Sequence, residues 1–280
     1  MTNIHLFHEV SQDCSRNTTE KYSTSFSSAI RLLHKDLRKP ICNIYGFVRF
    51  ADEIVDTFHD HDKANLLQEF KQDTYEAIER GISLNPILNS FQLTVNKYKI
   101  DHSLIDSFLL SMEMDLNKRQ YDRNGYEQYI YGSAEVVGLM CLYIFCEGDV
   151  EMYEKLKPAA MSLGSAFQKV NFLRDMKADV EGLNRMYFPN CDFKNFSNTD
   201  KRSIEADIQK DFDDAYDGIL HLPMKARFGV YVAYKYYLSL FKKIRKLQPQ
   251  RVLEQRIRIP DYSKIFILAK AGLRSQINLL

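Results

Sequence analysis

A narrow line of polar side chains runs through residues 41–56, a segment that is otherwise apolar. An α-helix turns about 100° per residue, so positions i, i+4, i+7 and i+11 fall on one line. Those positions hold Tyr45, Arg49, Asp52 and Asp56, while apolar side chains cover the other faces. A surface helix shows the reverse, one apolar stripe and a broad polar side. The segment therefore predicts a helix that lies inside the protein and carries its charges along one internal line.

The same pattern returns more than a hundred residues later, around residues 160–180. Gln168, Asn171, Asp175 and Asp179 lie on one line, again surrounded by apolar side chains. One pair of aspartates four residues apart is usually an exposed pair. Two such pairs on internal lines indicate a shared site, because buried carboxylates that face one another need positive charge between them.

Hard divalent cations with oxygen ligands fit such a site best. Mg²⁺ typically bridges one or two carboxylates to the phosphate of a substrate, and Mn²⁺ is an alternative ion. Arg49 lies on the first line and Arg174 lies beside the second, where both can donate charge-assisted hydrogen bonds to the same phosphate. The two lines together therefore predict a metal-assisted diphosphate site.

The rest of the chain predicts one all-α domain over residues 1–280, a helical bundle around a central cavity. The 280 residues include 11 Gly and 7 Pro, with no alternating β-type run and no long polar linker. Pro40 suits the first turn of the second helix. The predicted helices span 8–34, 40–58, 63–81, 85–98, 101–117, 124–147, 149–181, 200–219, 223–247 and 261–278.

Composition and charge indicate which classes of partner and which cellular compartment to expect. The net charge of +1 speaks against a nucleic-acid partner, which normally requires a basic surface. The five cysteines form no CxxC pair, and the first residues show no signal-peptide pattern, so we expect a cytoplasmic protein with reduced thiols. No run of about 18 apolar residues predicts a membrane span.

Six stretches carry a resemblance to a known family. "VRFADEIVD" (48–56) and "QKVNFLRDMKAD" (168–179) resemble the two aspartate-rich motifs of the squalene/phytoene synthase family. "YSTSF" (22–26), "YIYGSAEVVGLM" (129–140) and "RMYFP" (185–189) resemble three further motifs, and "RIRIPDYSK" (256–264) is similar to the tail of bacterial phytoene synthases. The resemblance covers roughly residues 15–275 and implies the fold of a class I isoprenoid synthase.

The family joins two identical allylic diphosphates head to head, and the resemblance implies a role for each matching residue. It places the metal at Asp52, Asp56, Asn171, Asp175 and Asp179. It gives catalytic roles to the same four aspartates, to Arg49 and Arg174 on diphosphate, and to Tyr129 at the reacting centre. It gives substrate contacts to Ser23, Ser25, Phe26, Ile30, Tyr45, Ala134, Val137, Gly138, Gln168 and Asn171.

Several of these residues have simpler interpretations that stay open at this point. The two serines suit a helix cap, Tyr129 suits a core position with its hydroxyl satisfied, and Gly138 suits close helix packing. Phe47, Phe167 and Phe172 are expected in an apolar wall beside Phe26. Arg256, Arg258 and Lys264 are weaker candidates that would reach the diphosphate from the C-terminal segment.

The resemblance is closest to bacterial phytoene synthases, which implies two geranylgeranyl diphosphates as substrates and no NADPH. A squalene or dehydrosqualene synthase acting on farnesyl diphosphate is the alternative, and a non-catalytic isoprenoid-binding protein is a distant one. An aliphatic Ile30 is expected to leave depth for the longer chain. Because the product is insoluble in water, we expect peripheral contact with the inner face of the membrane and hand-off to a phytoene desaturase.

Overall fold

The protein is built from helices, as the sequence predicts. The computed structural model describes residues 2–117, 120–183, 185–189, 191, 196–254 and 256–276. Within these ranges β pairing is confined to one bridge between Gln120 and Met186. The helices are α1 (Asn3–Tyr22), α2 (Thr24–Ile30), α3 (Lys35–Asp56), α4 (Lys63–Arg80), α5 (Pro86–Tyr98), α6 (His102–Asn117), α7 (Arg123–Ile130), a π turn (Tyr131–Glu135), α8 (Val136–Cys146), α9 (Val150–Leu183), α10 (Asn198–His221), α11 (Met224–Arg245), α12 (Pro249–Glu254) and α13 (Asp261–Gln276).

Two predicted boundaries near the N-terminus are wrong. The first predicted helix is interrupted at Ser23, whose backbone is extended and whose hydroxyl accepts the N–H of Phe26 at 3.2 Å to begin α2. The next helix begins at Lys35, so Pro40 lies inside α3 and not in its first turn. A proline there removes one backbone donor, and residues 35–39 nevertheless keep the helical path.

The stretch predicted as one helix over 124–147 is continuous but contains a π turn at Tyr131–Glu135. A π turn closes hydrogen bonds five residues apart and adds one residue to a helical turn. Ala134, Val137 and Gly138 are half-buried in and just after this turn, while Leu139 and Met140 are fully buried. The turn therefore separates a half-exposed face of α8 from a core-facing one.

The core surrounds α3. Its side chains Leu37, Ile44 and Phe47 are at most 1% exposed. The ring of Phe47 stacks on Phe91 of α5 with 3.9 Å between centroids, and lies 5.4 Å from Phe108 of α6. Phe47 is therefore a core residue, and its predicted place in an apolar wall along the cavity is wrong.

Helices α8 and α9 approach closely because glycines lie at the contact. A Cβ atom on Gly164 would lie 2.7 Å from the backbone oxygen of Ala134, and one on Gly138 would lie 3.0 Å from the oxygen of Ala160. Close packing thus explains Gly138 without a substrate contact. It also fixes the distance between the half-exposed face of α8 and the second polar line on α9.

One described helix, Arg123–Cys146, is long and apolar enough to cross a membrane by length and composition. Half of its most apolar stretch is buried inside the protein, where it packs on α6 and α9. This burial is typical of a core helix.

Candidate active site

Both predicted polar lines lie on helix faces that solvent reaches, although α3 and α9 are otherwise largely buried. The side chains of Asp52, Asp56 and Asp175 are 32%, 31% and 21% exposed, and those of Arg49 and Arg174 are 28% and 21% exposed. The predicted inward-facing charged lines are therefore present as two half-buried rows.

The two rows lie close to each other. The carboxylate of Asp56 at the end of α3 acts on Asp179 of α9, whose pKa it helps to raise. Tyr237 of α11 lies near the N-terminal ends of both rows. Its ring stacks on Phe167 of α9 with 3.9 Å between centroids, and its electrostatic interaction with Tyr45 of α3 contributes to the raised pKa of Tyr45. The rows are thus two sides of one cleft that α11 flanks.

Three of the four motif aspartates are bonded to arginines. Arg49 donates to Asp52 at 2.6 Å and also pairs with Glu53 of the same helix. Arg174 donates two hydrogen bonds to the carboxylate of Asp175, at 3.0 and 2.5 Å. This two-pronged contact is the arrangement in which a guanidinium also binds phosphate.

The third arginine was not singled out from the sequence. Arg185 follows α9 in the "RMYFP" stretch, is 5% exposed, and donates to Asp56 at 2.6 Å. Because it comes from the segment after the second motif and binds the first motif, it ties the two rows together.

Burial raises the pKa of the carboxylates that face each other most closely. The pKa of Asp52 rises to about 6, first because of burial and then because of the charge on Asp56. The pKa of Asp179 rises to about 7, again first from burial and then from Asp175 and Asp56. The cleft therefore concentrates negative charge that a cation would stabilise.

The donor set of the cleft suits a hard divalent cation. The oxygen Oδ1 of Asn171 is buried and has no hydrogen-bond partner among the described residues. Across those same ranges, no three acidic, histidine or cysteine side chains are close enough together to hold a metal ion. Asp52, Asp56 and Asp175 turn toward arginines instead, so ion binding would require their carboxylates to exchange partners.

The predicted substrate residues fall into two groups. Phe26 and Tyr45 line the cleft, with their rings stacked 5.4 Å apart, and burial raises the pKa of Tyr45 to about 12. Ser23 caps α2 and also bonds Tyr45. Half-buried positions are also held by Ser25, Ala134, Val137, Gly138, Gln168 and Asn171. Ile30, in contrast, is 5% exposed and packs in the core.

Tyr129 is buried, as the core interpretation of this residue expects. It is 3% exposed, and its hydroxyl donates to Asp115 of α6 at 2.7 Å. Sequence reasoning overlooked Asp115, yet its signal was present, since it continues the apolar face of α6 formed by Leu104, Phe108 and Met112. A single carboxylate on an apolar face is a weaker signal than the paired aspartates of α3 and α9.

One of the C-terminal candidates contacts a cleft residue, and another contacts α2. Arg256 lies 2.9 Å from the carboxylate of Asp175, and Lys264 donates to the hydroxyl of Thr24 in α2 at 3.2 Å. Arg258 contributes its backbone oxygen to Lys243 at 2.7 Å. The segment after α12 therefore spans from α9 to α2 along one edge of the site.

A surface depression of about 780 Å³ lies elsewhere, on the outer face of α10. Its charges are exposed and paired, for example Lys210 with Asp214 at 2.6 Å. It carries no buried polar line comparable to those of α3 and α9, so the candidate site is the cleft.

Comparison with known proteins agrees with this geometry. The model of the squalene/phytoene synthase family matches residues 19–263. A phytoene synthase of Arthrospira platensis is 24% identical over 294 residues, which cover 95% of this chain and 94% of that protein. A presqualene diphosphate synthase of Rhodopseudomonas palustris is 28% identical over 190 residues, covering 66% of this chain and 65% of that protein.

The fold is shared with a solved dehydrosqualene synthase in complex with a ligand. The two chains superpose with a TM-score of 0.84 at 20% identity, over 96% of this chain and 98% of the other. With the family model spanning both aspartate motifs and the fold matching along nearly its whole length, this chain belongs to the squalene/phytoene synthase family and is an enzyme of the prenyltransferase type.

Proposed function

We propose that this chain is a phytoene synthase, which joins two geranylgeranyl diphosphates head to head and releases diphosphate in carotenoid biosynthesis. One observation carries the proposal: Asp52, Asp56, Asp175 and Asp179 line one cleft beside four arginines. A cleft with alternating carboxylates and guanidiniums suits a diphosphate that enters together with its cations.

The residues present fit Mg²⁺, and Mn²⁺ would suit the same donors. Asp52 and Asp56 would hold it on one side, with Asp175, Asp179 and the buried Oδ1 of Asn171 on the other. Bound there, Mg²⁺ would act as a Lewis acid that neutralises charge on the departing diphosphate.

The chain's own side chains provide binding, orientation and exclusion of water. Arg49 and Arg174 would move from their carboxylates to diphosphate oxygens and hold the leaving group. Phe26, Val137 and Phe167 would surround the prenyl tails with surfaces that lack a nucleophile. An allylic cation formed there survives long enough for the second substrate to reach it.

The expected chemistry then runs in two stages. The double bond of the second substrate attacks the allylic cation, and the resulting cation loses a proton as the cyclopropane ring closes, which gives a cyclopropylcarbinyl diphosphate, prephytoene diphosphate. That intermediate loses its own diphosphate, rearranges, and releases a proton to form the central conjugated triene of phytoene. No reductant is consumed, so NADPH is not required.

A second candidate uses farnesyl diphosphate and makes dehydrosqualene or squalene. The relative named presqualene diphosphate synthase favours it, since its identity of 28% exceeds that of the phytoene synthase above. We prefer the longer substrate because the match to the phytoene synthase spans 94% of that protein, whereas the match to the presqualene diphosphate synthase spans 65% of that one. Membrane contact and hand-off to a phytoene desaturase would follow from the insolubility of either hydrocarbon.

The test is direct: purified protein receives geranylgeranyl or farnesyl diphosphate with Mg²⁺, each with and without NADPH, and the extracted products are identified. Phytoene from the twenty-carbon substrate, lost with EDTA and in Asp52→Ala or Asp175→Ala, supports the proposal. Asp214→Ala, at an exposed ion pair on α10, is the matched control and should keep full activity. Preference for farnesyl diphosphate would refute the proposed substrate. No turnover of either diphosphate would refute the proposed condensation.

A further inference from the structure

The buried carboxylate Asp115 lies at the centre of a group of tyrosines beside the cleft. Its side chain is 2% exposed. It accepts hydrogen bonds from the hydroxyls of Tyr129 at 2.7 Å, Tyr121 at 3.3 Å and Tyr187 at 3.4 Å. Three phenols from three separate segments thus converge on one anion.

Arg185 connects this group to the first aspartate motif. Its Nη1 lies 2.6 Å from Asp56 and 3.5 Å from Asp115, and its Nη2 donates to the backbone oxygen of Asp115 at 3.0 Å. The bridge between Gln120 and Met186 fixes the segment that carries it. Asp115, Arg185 and Asp56 therefore form a chain of alternating charge that leads from α6 into the cleft.

The aromatic rings of the group also face the second motif. Phe172 of α9 stacks on Tyr187 with 4.0 Å between centroids, and Tyr129 lies 5.1 Å from Tyr187. A cavity of about 10 Å³, the size of one water molecule, is lined by Phe172, Tyr187 and Asp179 among others. The stacked rings therefore border Asp179, one of the carboxylates that would hold the leaving group.

We infer that Asp115 is a positioning residue for the proposed condensation, and this inference rests on that proposed function. It acts through Tyr129, Tyr187 and Arg185. Because each phenol donates its proton to Asp115, none of the three is free to exchange a proton with the reacting carbons, and the rings are held as a fixed buried stack. A phenol that donates to a carboxylate is also more electron-rich, which strengthens the electrostatic stabilisation that the stack gives to positive charge in the neighbouring cleft.

Loss of Asp115 should change the distribution of products as well as the rate at which they form. The second ionisation produces a rearranging cation with no tightly bound partner, so it depends most on ordered rings nearby. When the rings are less ordered, more of the cyclopropylcarbinyl diphosphate should leave before it reacts, or be captured by water as an alcohol. A merely structural role for Asp115 would lower all products together.

The test compares Asp115→Asn with Asp106→Asn on the same helix. Asp106 also accepts a tyrosine hydroxyl, that of Tyr75 at 2.5 Å, but at an exposed position away from the cleft. For Asp115→Asn we expect kcat to fall by about 10- to 100-fold, the effect typical of losing a residue that positions the ligands of a metal site. The KM should change by less than about threefold, and the ratio of intermediate and alcohols to hydrocarbon should rise. Asp106→Asn should match wild type in all three.

Unchanged kcat and an unchanged product ratio in a folded Asp115→Asn protein would overturn the inference. If that variant does not fold, Tyr129→Phe decides, because it keeps the ring and removes the shortest bond to Asp115. A raised share of intermediate and alcohols in Tyr129→Phe supports the inference, and a wild-type ratio overturns it. Failure of wild type itself to turn over either prenyl diphosphate would instead refute the proposed function.

Discussion

Substituting alanine for Gly164 tests the closest approach of two helices at the site. The new Cβ atom would lie 2.7 Å from the backbone oxygen of Ala134 and 3.1 Å from the Cα of Glu135. Ordinary contact begins near 3.4 Å, so the π turn must retreat from α9 by about 0.7 Å. Both neighbours are backbone atoms, which cannot rotate away as a side chain does.

The same substitution at Gly182 of α9 is the matched control, since a Cβ there meets no atom within 4 Å. Alanine gains up to about 1 kcal/mol over glycine in a helix, and overpacking costs about 1–3 kcal/mol. We therefore expect Gly164→Ala to be less stable than Gly182→Ala by about 1–3 kcal/mol, or roughly 2–6 °C in Tm.

Denaturant unfolding of both variants, followed by circular dichroism, gives the difference directly. Hydrocarbon formation should also fall in Gly164→Ala, because the displaced turn carries Ala134 and leads into Val137. If Gly164→Ala proves as stable as Gly182→Ala, the close approach of α8 and α9 described above is refuted.

Three further predictions concern the core, the charges and the substrate. Phe47→Ala should lower the free energy of unfolding by about 3–5 kcal/mol, measured by denaturant titration, because it empties a fully buried stacked position. With the divalent cation chelated, stability should be highest at low pH and fall as pH rises through 6–7, because Asp52 and Asp179 have raised pKa values and must ionise while buried. Thermal unfolding between pH 5 and 8 checks this, and Asp179→Asn should flatten the slope. Because Ile30 packs in the core, Ile30→Phe should lower the free energy of unfolding by about 1–3 kcal/mol and leave the ratio of thirty- to forty-carbon product unchanged in a competition between the two diphosphates. A shift towards thirty carbons would show instead that Ile30 borders the prenyl tail.

Much of the site could be predicted because it obeys helix geometry. The two polar lines depend on spacing within a single helix, so Arg49 and Asp52 or Arg174 and Asp175 could be found from local sequence. The all-α fold could be predicted for the same reason, since the helical periodicity is strong and alternating runs are absent.

What could not be predicted depends on contacts between distant segments. Arg185 donates a hydrogen bond to Asp56, which lies 129 positions earlier in the chain, and no local sequence pattern predicts that pairing. Phe47 was predicted to line the apolar wall of the cavity because one side of its helix faces the cleft. Its ring instead packs against Phe91 and Phe108 in the core. Asp115 has no second aspartate one turn away on α6, and its partners Tyr129 and Tyr187 come from other segments.

The π turn has a consequence for how this stretch of chain can vary. A turn with one extra residue resets the rotational phase of everything after it, so the side chains of α8 and those of α7 do not share one helical wheel. Losing a single residue within 131–135 would let the backbone return to a regular helix with its hydrogen bonds intact. Because the π turn already takes up its extra residue without added rotation, Val137 and Gly138 would keep their direction relative to α7, and such a gap would leave both the fold and the half-exposed face of α8 in place.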